Sequence, residues 1–169
     1  MALSARPANK LLEARAQDAP TAEVSFDLGM STLQVDLSGS GVDGPAGMLP
    51  WPVIETIAAD DHGCFEIVSA EPRRLQCMSS MTGRLASLYA TDGPPALLLS
   101  GTLMHRIKGV HPGQDTQLKL APLGRLSAFR VLDTATGLGY TSIEARRRGA
   151  LSVHTTELDP AVVDLQRRN

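Results

Sequence analysis

The residues of this chain best suited to chemistry lie in the run Val131-Leu132-Asp133-Thr134-Ala135-Thr136-Gly137-Leu138-Gly139-Tyr140, with Glu157 twenty positions after Gly137. An apolar strand that ends in a loop with two glycines brings backbone rather than side chain close to a ligand, because glycine has no Cβ and takes dihedrals barred to other residues. A helix starting near Thr141 would turn free N–H groups and the positive end of its dipole toward an anionic group at that loop. Glu157 ends the next apolar run, where a carboxylate can accept hydrogen bonds from both hydroxyls of a ribose. Asp133, at the tip of the first strand, adds a carboxylate beside the loop that could hold an amino group or a bound water. The combination points to a cofactor of nucleotide type.

Two cofactor classes fit these positions. A dinucleotide fingerprint wants a third small residue three places after the second glycine, which Ser142 supplies, but it normally runs an apolar strand straight into its first glycine. Here Asp133 intervenes, four residues before Gly137. A cofactor bearing an ammonium, a carboxylate, a sulfonium and a ribose would use every one of these features, and S-adenosylmethionine is that molecule. Other reactive residue types have plainer readings. His62 and His154 lack metal-ligand spacing, so no metal is expected, and His105 and His111 read as solvent-facing loop histidines. Cys64 and Cys77 read as reduced, half-buried thiols. Asp159 before Pro160 reads as a helix cap, and Arg146, Arg147 and Arg148 as a solvated helix end.

The elements that must position the loop follow from apolar patterning. Residues 128–169 read as strand, glycine loop, helix, strand and the start of a second helix, the opening β-α-β of a parallel α/β unit. Residues 24–102 alternate short apolar runs with turn formers and read as a β-rich domain. One short helix is expected there at Trp51, where Pro52 suits a first turn and Ile54 and Ile57 share a face. Residues 103–127 are polar, hold Gly109, Pro112 and Gly113, and read as a connector. Residues 1–23 read as a mobile leader or a short unanchored helix, without the core of a signal peptide. The fold class expected is mixed α/β.

A 43% hydrophobic content over 169 residues permits a buried core. Sixteen basic against eighteen acidic side chains, a net charge of -2, provide no field to draw in nucleic acid or an anionic membrane. No apolar stretch approaches the roughly 20 residues of a membrane span. A soluble, cytoplasmic protein is expected, with an organelle left open and the β-rich half as the candidate surface for a homo-oligomer.

The segments VLDTATGLGYTSIEARRRGA and VHTTELDPAVVDLQRRN resemble the first two cofactor-binding motifs of Rossmann-like S-adenosylmethionine-dependent methyltransferases. They are most similar to a predicted methyltransferase group related to spermidine synthases, and MHRIKGVHPGQDTQLKLAPLG resembles the same group. The likeness covers roughly residues 24–169 and is strongest from Met104 onward. It implies that Asp133, Gly137 and Gly139 line the methionine end of the cofactor and that Glu157 holds the ribose. Ala135, which stands where many methyltransferases have their first glycine, and Tyr140 complete the cofactor-binding set. It further implies a C-terminally truncated member, since the adenine-binding acid after the third strand and the substrate-side residues after the fourth have no counterpart. The expected activity is methyl transfer to an unassigned acceptor, with no catalytic acid or base identifiable. Two alternatives stand beside it. One is aminopropyl transfer, against which the loop lacks the aspartate of spermidine synthases; the other is a non-catalytic β-rich interaction module.

Overall fold

The computed structural model describes residues 1–169. The chain is mixed α/β, with five helices and several small sheets, and it divides into two compact units, Met1–Leu75 with Leu88–Pro95 and Gln76–Ser87 with Ala96–Asn169. No helix is long and apolar enough to cross a membrane.

In the first unit, β1 (Ala2–Ser4) pairs antiparallel with β6 (Cys64–Val68), Leu3 opposite Phe65, and β6 pairs with β7 (Glu71–Arg74). Two hairpins, β2 (Thr21–Val24) with β3 (Leu33–Asp36) and β4 (Gly41–Gly44) with β5 (Gly47–Pro50), precede α2 (Trp51–Ala58). Trp51, Ile54 and Ile57 form the buried face of α2, and the indole N–H of Trp51 donates to the Ser38 carbonyl at 2.9 Å, so burial leaves no polar atom stranded. Leu3, Leu11, Val24, Val42, Leu49, Ile54 and Ile57 are nearly or fully buried in one core. Each such side chain contributes about 1.5–3 kcal/mol.

The expected mobile leader over residues 1–23 is instead structured. It forms β1, α1 (Ala5–Ala16) and the start of β2. The α1 face that is buried consists of Ala5, Ala8 and Leu11; alanines at helical spacing carry little apolar signal, yet they let a helix pack closely on its neighbours. Pro72 lies within β7, an edge strand, where its missing N–H costs no ladder bond.

In the second unit, β8 (Gln76–Met78), β9 (Leu85–Tyr89, of which residues 85–87 belong here), β10 (Ala96–Leu99) and β11 (Thr102–Leu103) lie in the order β11-β10-β9-β8. The expected connector over residues 103–127 contains a helix, α3 (Pro112–Leu120). His111 caps it: its Nδ1 accepts the Gln114 N–H at 3.3 Å and its own N–H donates to Gln114 Oε1 at 3.2 Å, a capping box with histidine in the place usual for serine or threonine. Next come β12 (Arg130–Asp133), α4 (Tyr140–Arg147), β13 (Ser152–Thr155) and α5 (Pro160–Arg168). β12 and β13 are parallel, Val131 opposite Val153 and Asp133 opposite Thr155. Leu120, Leu126, Ala145 and Ala150 form a small core against Val131 and Val153, while Leu132 and Leu151 remain 67% and 64% exposed.

Candidate functional site

The loop between β12 and α4 is held in shape by backbone bonds to the far end of β13. Thr136 N–H donates to the Thr156 carbonyl at 2.9 Å, and Thr156 N–H donates to that of Asp133 at 3.0 Å. Gly137 and Gly139 both take positive φ, 52° and 85°, and Gly139 is the N-cap of α4; these are dihedrals that glycine enters without the Cβ penalty. A Cβ on Gly137 would meet no atom within 4 Å, so packing does not demand glycine there and the loop's outer face is open.

Glu157 joins this loop to the start of α5. Its Oε2 accepts the Gly137 N–H at 2.8 Å, and its Oε1 accepts the N–H groups of Leu158 at 2.9 Å and Asp159 at 3.1 Å. Three fixed donors orient the carboxylate and leave Oε2 with a free lone pair. Asp159 caps α5 through Ala161 N–H at 2.9 Å and accepts the Thr82 hydroxyl at 2.7 Å. Thr82 above all, with Ser79, Ala161 and the positive charge of Arg84, outweighs burial and holds this carboxyl below its usual range.

A cavity of about 460 Å³ opens at these strand tips. Ala135, Gly137, Tyr140 and Glu157 line it; Asp133 and Gly139 do not. The Asp133 carboxylate is turned to structural partners instead, accepting the Ser142 hydroxyl at 2.6 Å and that of Thr155 at 3.3 Å, with the Ala135 N–H at 3.4 Å. It thereby ties the loop, α4 and β13 together. The candidate set thus separates into four residues that face the cavity and two that shape the loop.

The remaining walls come from residues outside that set. His105, expected to face solvent, lines the cavity together with Met104, Asp115 and Lys119. Its Nδ1 accepts the Leu97 N–H at 3.0 Å, and its ring stands edge-on to Tyr140 with centroids 5.3 Å apart. Burial, reinforced by the charge of Lys119 and opposed by Asp115, pushes the imidazole down to about 4. Asp115 is 5% exposed and pairs with Lys119 Nζ at 2.5 Å. Local patterning missed Asp115 and Lys119 because α3 was itself missed; the sequence signal that could have found that helix was His111-Pro112 followed by Gln114 at the third helical position.

No family model matches the chain. Over 125 residues it is 34% identical to an uncharacterized protein of Methanocaldococcus jannaschii, an alignment that covers 74% of this chain and 42% of that protein. The chain therefore spans about two-fifths of the length of the relative it matches.

Proposed function

We propose that the chain carries the S-adenosylmethionine site of a Rossmann-like methyltransferase, of the group related to spermidine synthases. The observation that carries this reading is the Glu157 carboxylate, pinned at the tip of β13 by three backbone N–H groups, one of them from the glycine loop twenty residues earlier. A carboxylate so fixed can receive ribose hydroxyls without reorganising. The residues also fit the rest of the compound. The cavity volume lies within the roughly 300–1,000 Å³ of small-molecule sites, the open face of Gly137 admits backbone approach, and Tyr140, Leu97 and Met104 offer apolar surface. Bound there, the compound supplies an electrophilic methyl group on a sulfonium. The chain's own residues bind it, orient it and exclude water, and proximity to the acceptor provides much of the rate.

Isothermal calorimetry of the full chain with S-adenosylmethionine and with its decarboxylated form tests the reading. Preference for the first supports methyl transfer. Preference for the second would move the assignment to aminopropyl transfer, and no heat with either would end the cofactor reading. Glu157→Ala is expected to weaken S-adenosylmethionine about tenfold or more, a loss of at least ~1.4 kcal/mol. Unchanged affinity in that variant would remove the ribose assignment.

A further inference from the structure

The acidic groups of the cavity already accept bonds within the chain, and Lys119 and His105 keep protons to offer a ligand. Glu157 accepts three backbone N–H groups, Asp159 accepts the Thr82 hydroxyl and the Ala161 N–H, and Asp115 takes Lys119. Lys119 keeps further ammonium protons beyond the one Asp115 engages, and its side chain is 68% exposed. Arg84 also lines the cavity, and its charge helps to hold the Asp159 carboxyl low. His105 adds a donor of a different kind. Because Nδ1 accepts the Leu97 N–H, the neutral ring carries its proton on Nε2, so a ligand meets a donor there and not a base.

We infer that His105 and Lys119 form a subsite for a carboxylate of the ligand, with the Nε2–H of His105 as its neutral donor and the Lys119 ammonium supplying charge. Asp115 is the positioning residue: nearly buried on α3, it holds the Lys119 ammonium at the cavity wall. Charge-assisted bonds of this kind are stronger than neutral ones and favour a carboxylate over an uncharged acceptor. Two sources present that group, the amino-acid end of the sulfonium cofactor and an acidic methyl acceptor. The inference rests on the proposed cofactor reading for the first source only.

The experiment uses the full chain in two arms. Calorimetry compares S-adenosylhomocysteine, which has the carboxylate, with 5′-methylthioadenosine, which lacks the amino-acid end. Nitrogen-15 NMR follows the His105 ring as acetate is added. Binding of S-adenosylhomocysteine about tenfold tighter than methylthioadenosine, a gap lost in His105→Phe and Lys119→Met but kept in His105→Gln, which retains an N–H donor, assigns the carboxylate to the cofactor. Equal affinities, with acetate shifting the Nε2–H resonance of the nucleoside-saturated protein, assign it to the acceptor. If neither nucleoside binds and acetate still shifts the resonance, the subsite stands and the cofactor reading falls. An acetate-insensitive ring in a protein that does not distinguish the nucleosides overturns the inference. So does a nucleoside gap that His105→Phe leaves intact, or a ring protonated at Nδ1.

Discussion

The two units place their apolar residues and their polar bonds differently. In the first, residues from six strands and two helices converge on one core, and Leu3, Leu11, Ile54 and Ile57 have no exposed surface. In the β12–α4–β13–α5 part of the second, the core is small, Leu132 and Leu151 face outward, and much of the order comes from side chains that bond backbone: Glu157 on the glycine loop, Asp159 on α5, Asp133 on Ala135. A closed core resists single polar changes and is sensitive to lost volume. A loop held by a few carboxylates has the reverse sensitivity, because a missing acceptor leaves donors unpaired. The first arrangement favours stability and the second exposes fixed backbone donors and carboxylates to a cavity.

The largest effect expected from this contrast is on Ile54. Ile54→Ala removes a fully buried side chain from the first unit and should cost about 2–5 kcal/mol in urea unfolding. Leu132→Ala, at a residue 67% exposed, should stay within about 0.5 kcal/mol. Equal costs would break the comparison. Next in size is Gly139→Ala. Its φ of 85° is left-handed, which costs an L-residue about 1–2 kcal/mol, and the displaced N-cap of α4 should also weaken S-adenosylmethionine in the same calorimetric assay. Full stability in that variant would show that the loop tolerates a different path.

The legible and illegible parts of this chain differ for the same reason. The β12 loop, α4, β13 and α5 announce themselves locally: an apolar pair Val131-Leu132, glycines at the turn, and Asp159-Pro160 as cap and first-turn residue. Helix α2 does too, through Pro52 and the spacing of Trp51, Ile54 and Ile57. Helix α3 hides because its buried residues are Pro112, Asp115, Thr116 and Leu120, a face with almost no hydrophobic period, and because Gly113 is a poor helix former. Helix α1 hides behind alanines. In the site, Glu157 was readable from its distance to Gly137. Asp133 looked like a ligand-facing acid, since only the fold brings Ser142 and Thr155 onto it. His105 needed the β10–β11 register that sets its ring against Leu97, and Thr82 meets Asp159 across 77 positions. Such pairings have no local signature.

Asp159 tests the carboxylate-held half of the contrast at moderate size. Asp159→Ala deletes the cap of α5 and should cost about 1 kcal/mol, with Thr82→Val giving part of the same loss. Because the folded carboxyl sits below its ordinary value of 3.8, its contribution is complete above that value. It is lost as pH falls through the depressed folded value. The cost of Asp159→Ala, measured by urea unfolding, should therefore shrink at strongly acidic pH; a cost independent of pH would mean that the Thr82 bond does not depend on the charge.

A further pH-dependent effect belongs to His105 and works with the opposite charge. Unfolded, the ring takes a proton near 6.5; folded, burial holds it neutral down to about 4. Between those values the unfolded chain binds a proton that the native one refuses, so stability falls as pH drops through this window and levels off beneath it. Above 6.5 both states are neutral and the group is silent. The measurement is a difference in which groups common to both proteins cancel: the urea midpoint at pH 7.5 minus that at pH 5, for the wild type against His105→Gln. A smaller difference in the variant places the neutral imidazole where the Leu97 bond puts it. An identical difference would mean that the ring is hydrated enough to charge in the folded state, and the cavity wall would then present a cation at mildly acidic pH.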